Sequence, residues 1–315
     1  METRRFFIDK IIDNLSTKHN FTFYAAFLRI FICLYLIKDV IITMQFKDLF
    51  YKGKMYLETG NSVLLDVLGV STQFVRDNFE IFNGIYLILI VLYFFGVGKN
   101  LIALFLCMFY EVIQNFTWIT LNGGDNLMKF VMLYMVFINS YEYFSIDKQR
   151  FKNRKNTAFN NFMTNLGCYS ICIHLCLVYF VSAMHKIHAD VWFNGIATYY
   201  TLSLERFGGG NAINEWLSKN GTFVTLSTYG TILVELFYPV LIWFKETKVL
   251  FIISAIGLHL SIAVLMMLYD FQLLFIALQG MFISDKFWIS LVEKVKSKPF
   301  IQKMFFDDKK EELIS

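Results

Sequence analysis

Four ionisable side chains, His185, Lys186, His188 and Asp190, fall within six positions of the stretch YFVSAMHKIHADVWFNG, directly after the apolar run Cys168 to Met184. A lysine drawn into a low-dielectric pocket gives up its proton more readily, so it can act as a base or nucleophile. Lys186 is therefore the first candidate for reactive chemistry, with His185, His188 and Asp190 as its company. Two histidines three residues apart can also share a helix face and bind a metal. No third ligand stands nearby, so no metal site is expected. The competing reading makes Lys186 and Trp192 interfacial anchors and the histidines helix-end groups.

His259, in GLHLSIAVLMML, lies in the middle of an apolar run, where an anchor has no use. It is either a neutral histidine bonded to another helix or a member of the same site. The turn TLNGGDNL has two glycines that permit positive φ, with Asn122, Asp125 and Asn126 able to cap the following helix. Arg29, Glu111 and Glu235 sit deep in apolar runs, where an unpaired charge costs at least about 2.5 kcal/mol. Each needs a partner or a wet cavity, and Arg29 is expected to pair with Glu235 or Glu111. If the cavity is functional, Arg29, Glu111, Asn122, Asp125, Asn126 and Glu235 are its candidate substrate contacts. Lys38, Asp39 and Lys129 lie near run ends and are expected to snorkel.

The elements that must position these residues follow from composition. With 57% hydrophobic residues, 36 phenylalanines among 315 residues and a mean hydropathy of +0.51, the chain has more apolar side chain than a soluble core can hide. That places it in the polytopic membrane class. Spans are expected near 21–44, 81–97, 101–121, 127–144, 162–184, 222–244, 249–269 and 271–283. The last is short for a crossing, and is read either as half-inserted or as a continuation of the seventh span beyond a bend at Asp270. Under this eight-helix scheme nineteen basic residues fall on one side and seven on the other, so both termini are expected to be cytoplasmic. The long loops 45–80 and 185–221, with the NGGDN turn, then face outward.

The expected organisation is a cytoplasmic amphipathic tail over 1–20, a transmembrane domain over 21–283 and a basic cytoplasmic tail over 284–315 that suits an interfacial helix. The basic residues form no long stripe and the net charge is only +4, so no nucleic-acid partner is expected. All five cysteines lie in apolar runs, which argues against a disulfide framework. Cys168, Cys172 and Cys176, four apart, read as a small-residue stripe for close helix approach.

The order NGGDNL, AMHKIHADVWFNG, an acid-containing helix, then GLHLSIAVLMMLYDFQLLFIAL resembles the horizontally transferred transmembrane (HTTM) domain. Vitamin K-dependent γ-carboxylase is the best-known enzyme of that family. The resemblance implies that Lys186 matches the lysine regarded as the carboxylase base, with His185 replacing a neighbouring lysine. It sets His259 on a carboxylase histidine and NGGDN on an Asn-Asn-His string, whose histidine is Gly124 or Asp125 here. The carboxylase has a large lumenal region after its membrane helices; here a short basic tail follows, so quinone-dependent glutamate carboxylation is not expected. No particular cofactor is implied.

In length and in the wording NGGDNL, the chain is more similar to the bacterial membrane-protein family of sporulation-delaying toxin operons. That similarity implies maturation of a secreted antimicrobial peptide, with the peptide precursor, membrane lipid and a soluble protein from the same operon as partners. Proton abstraction, peptide processing and disulfide-assisting presentation of the peptide all fit. The rival class is a non-enzymatic membrane protein, whether transporter, immunity protein or assembly scaffold. A transporter should show internal repeats, and none is visible.

Overall fold

The computed structural model describes residues 7–17, 20–48, 62–118, 121–147, 158–207 and 211–296. Among them the chain is all helix, with no strand. Each of the eight apolar runs falls on a helix: α2 (Thr22–Gln45), α5 (Phe79–Phe94), α6 (Lys99–Phe116), α7 (Gly123–Met135), α8 (Ala158–Ile187), α12 (Gly221–Leu241), α13 (Lys245–Met266) and α14 (Tyr269–Gln279). Shorter helices fill in around them: α1 (Phe7–Thr17), α3 (Val63–Leu68), α4 (Thr72–Asp77), α9 (Asp190–Phe193), α10 (Ala197–Ser203), α11 (Ala212–Ser218) and α15 (Asp285–Lys296).

Among the described residues three helices, α8, α12 and α13, are long and apolar enough to cross a membrane, and a bent pair formed by α14 and α15 brings that number to four. That is fewer than the eight crossings expected from hydropathy. In α2, 24 residues long, Arg29, Lys38 and Asp39 interrupt the apolar run. The fourth run is cut short for a different reason. Helix α7 stops at Met135, because Asn139 turns its side chain onto the Tyr141 N–H at 3.4 Å and gives its own N–H to Thr164 Oγ1 at 3.1 Å. Such local side-chain bonds compete with helix continuation.

The chain reverses between α13 and α14 at Met267, whose φ of 55° lies in the left-handed region. Helix α14 packs back along α13, its Phe275 ring centroid 4.6 Å from that of His259. The expected bend therefore comes three residues before Asp270, and α14 does not extend α13. The expected loop 185–221 is not extended either: α9, α10, a 3-10 turn at Glu205–Phe207 and α11 occupy it. The described part of the loop 45–80 contains α3 and α4, capped by Ser62 and Ser71.

Helix α8 is the central post. It meets α7 where a Cβ on Gly167 would lie 2.7 Å from Ile138 and 3.2 Å from the Tyr134 carbonyl oxygen, so only glycine allows that approach. Cys168, Cys172 and Cys176 are buried along it, and all five cysteines are free thiols. At its start, Asn161 and Asn165 donate to the carbonyls of Ser16 and Leu15 and dock α1 there. Phe21 at the head of α2 touches Tyr169 edge-on at 5.1 Å, so α2 and α8 begin at the same end of the bundle.

Candidate functional site

Lys186 turns inward from the last turn of α8, and its ammonium is fully engaged. It donates to Glu235 Oε1 at 2.7 Å, to Glu235 Oε2 at 2.6 Å and to Ser182 Oγ at 2.6 Å. Trp192 on α9 sets its ring 5.1 Å from the same nitrogen, a cation–π contact that gains strength where water is excluded. His185, His188 and Asp190 face the other way and are exposed, with His188 Nδ1 on the Met184 carbonyl at 2.7 Å. The polar cluster therefore divides in two. Glu235, not the histidines or Asp190, is the countercharge of Lys186.

The pair does not sit at an open helix end. Glu235 lies about 21 Å along α12 from Gly221, taking 1.5 Å per residue, whereas α8 ends one residue beyond Lys186. Helices α9 to α11 pack beside the part of α12 that extends past the pair. Thr198 bonds to Thr228 through its N–H at 3.1 Å, Tyr229 donates to the Phe193 carbonyl at 2.8 Å, and Asn214 reaches Leu265 O on α13 at 2.8 Å.

Two turns deeper on α8, Tyr179 opens a buried polar chain linking α8, α12, α13 and α14. Tyr179 Oη lies 2.6 Å from His259 Nε2, and His259 Nδ1 meets Gln272 Oε1. Gln279 Nε2 donates to Tyr179 Oη at 3.1 Å, while Gln279 Oε1 accepts from Tyr238 Oη at 2.5 Å. An amide oxygen only accepts, so Nδ1 carries the His259 proton, Nε2 is the acceptor and Tyr179 gives it the hydroxyl proton. All five side chains are buried. No fully buried nitrogen or oxygen of these five side chains is left without a partner, which is what burial of polar groups requires.

The NGGDN turn is a capping box at the head of α7: Asn122 Oδ1 accepts from Gly124 N at 2.7 Å, and Asp125 Oδ2 accepts from Asn122 N at 2.8 Å. Neither glycine uses positive φ, which corrects the sequence expectation. Gly124 is required because a Cβ there would lie 2.8 Å from the Phe271 ring and 3.1 Å from its Cα. Asp125 is buried and also receives Tyr35 Oη at 3.4 Å, while Asn126 is exposed. Beside the box is a cavity of about 200 Å³ lined in part by Lys38, Asp39, Gln114, Asn122, Asp125 and Asp270. Lys38 joins Asp39 at 3.1 Å and Asp270 at 2.7 Å there, so these groups pair rather than snorkel.

The expected Arg29–Glu pair is not formed. Fully buried Arg29 donates through Nη2 to the carbonyls of Phe144 at 2.6 Å and Tyr143 at 3.3 Å, and its guanidinium sits 5.3 Å from the Tyr141 ring centroid. Glu111 pairs with Lys129 at 2.5 Å across α6 and α7. Arg29 lies near the start of α2, at the end where the segment after α7 presents carbonyls, and neither acid reaches it. Among the described residues, no group of three or more His, Cys, Asp or Glu is placed to hold a metal.

Sequence reasoning passed over Tyr179, Ser182, Tyr238, Gln272 and Gln279. A signal existed in the spacing: Gln272 and Gln279 are seven apart with only apolar residues between them, and Tyr179 and Lys186 are seven apart too, so each pair shares a helix face. Fold and site together define an all-helical protein with helices able to cross a membrane and a partly buried ion pair beside a polar core. Comparison of the chain with protein-family profiles, curated proteins and solved structures finds no match. The likeness to the HTTM domain rests on the ordered motifs alone.

Proposed function

We propose that this is a membrane-embedded protein of the HTTM type, a bundle of about eight helices with cytoplasmic termini, that takes part in maturing a secreted antimicrobial peptide. The observation that carries the reading is the Lys186–Glu235 pair, held between α8 and α12 with Glu235 buried, Lys186 half-buried and the Trp192 ring beside the ammonium. The bidentate carboxylate and Ser182 hold the amine in one orientation. That amine is the base, or the group that contacts the peptide, on the extracytoplasmic side assigned by the basic-residue asymmetry. His259 and Asp125 support the site from deeper and lateral positions, and a soluble protein from the same operon is the expected partner.

One observation favours a second, non-enzymatic reading: all three ammonium donors of Lys186 are already used, as they are in a structural clamp. The two readings separate in one assay, mature peptide in the medium per unit of membrane-inserted protein. Lys186→Arg and Glu235→Gln both abolish maturation if a proton must leave the lysine, because guanidinium does not deprotonate. Full maturation by Lys186→Arg leaves the pair as a clamp and removes the enzymatic reading.

A further inference from the structure

Helix α15 turns away from the bundle, by 106° relative to the preceding α14 segment. Its start is fixed. The Asp285 carboxylate accepts the N–H groups of Phe23 at 2.8 Å and Tyr24 at 3.1 Å at the head of α2. Trp288 stacks on Tyr24 at 5.0 Å and donates Nε1 to the Gly280 carbonyl at 3.2 Å. With its start held in this way, the helix has only one orientation for its faces.

At 100° per residue, Trp288 and half-buried Val292 lie on the flank toward the bundle, while exposed Lys286, Ser290, Glu293 and Lys294 form a separate polar arc. A third group is exposed: Phe287, Leu291 and Val295, one turn apart, are 52%, 42% and 40% exposed. The helix that anchors it has an exposed apolar ridge as well. On α2, Phe27, Leu34 and Ile41 are exposed at seven-residue spacing, and Phe27 lies 5.3 Å from the same Tyr24 ring that stacks on Trp288. A soluble helix seldom carries apolar groups over both the flank it packs and the flank it leaves open.

We propose that α15 is a lipid-surface helix, seated in the headgroup–acyl boundary of the leaflet at the bundle end where α2 and α8 begin. Its open ridge enters the acyl region and the polar arc faces water. Bilayer is the occupant because α15 and the α2 helix that anchors it both leave large apolar side chains exposed, and because the helix lies across the axis of α14.

The test uses the full chain in nanodiscs of phosphatidylcholine and phosphatidylglycerol, with spin labels placed singly through Phe287→Cys, Leu291→Cys, Ser290→Cys and Glu293→Cys. Labels at 287 and 291 should relax with oxygen and resist a water-soluble nickel chelate, and labels at 290 and 293 should do the reverse. Equal access of the chelate to all four overturns the proposal in favour of a solvated helix. Spin–spin broadening at 287 and 291 overturns it in favour of a second copy. Should the cysteine variants fail to insert, Phe287→Trp keeps an aromatic side chain. Its emission should be quenched by brominated acyl chains beyond the wild-type loss; equal loss again overturns the proposal.

Discussion

The hydroxyl of Tyr179 and the Nε2 of His259 meet at 2.6 Å between α8 and α13, with the ring fixed in its Nδ1–H tautomer by Gln272 behind it. Tyr179→Phe removes one oxygen that serves two partners, leaving Nε2 without a donor and the Gln279 amide without one of its acceptors. An unsatisfied buried group costs about 1–3 kcal/mol, so this variant should lose at least that much in unfolding free energy. Equilibrium unfolding of the detergent-extracted protein checks it, and a loss close to zero would mean that water replaces the hydroxyl. His259→Gln, which keeps an acceptor and a donor, should lose less than His259→Leu.

The Lys186–Glu235 pair gives a second expectation. Removing one partner of a buried pair costs about 3–5 kcal/mol, whereas removing both can be close to neutral. Lys186→Met and Glu235→Gln should each destabilise more than the double variant. Equal and additive losses in the double-mutant cycle would show that the two side chains are solvated separately.

Orientation is tested by labelling. A cysteine in place of Asn211, at the exposed head of α11, should react with an impermeant thiol reagent on intact cells. One in place of Asn153, which lies outside the described residues, should not. Reversed labelling would put the Lys186 site on the cytoplasmic side and exclude outward peptide chemistry.

Burial raises the Asp285 carboxyl above its ordinary range, against the opposing pull of the Phe23 and Tyr24 N–H donors. A raised value means the folded chain holds this proton more tightly than the unfolded chain. The contribution is therefore complete below the unfolded value and declines as pH climbs through the folded one. Asp285→Asn keeps an acceptor oxygen without the ionisation. Between about pH 4 and 7, around the ordinary carboxylate range, the melting midpoint of the Asn variant relative to wild type should rise. A constant difference would mean that the carboxyl titrates alike in both states.

Helix positions were readable from the chain because apolar runs persist over many residues, and all eight runs fall on helices. Extent was less readable, since the end of α7 depends on Asn139 finding Thr164 across a helix pair. Lys186 stood out as a charge closing an apolar run; its partner did not, because one sequence shows how deep Glu235 lies but not which way it faces. Arg29 was misassigned for a related reason. Its partners are carbonyls, which every residue has and no residue type marks. The glutamines of α14 were visible at seven-residue spacing, yet their importance appears only once His259 and Tyr179 lie between them.

Helix α2 has no side-chain cap of its own at its start. The residue that supplies one, Asp285, is separated from Thr22 by 263 positions. During synthesis the leading turn of this helix must therefore wait, its amides served by water or headgroups, until the chain has been made as far as Asp285. The first helix of the bundle is thus among the last to be closed, and a nascent chain stopped short of Asp285 keeps that end open to quality-control proteases.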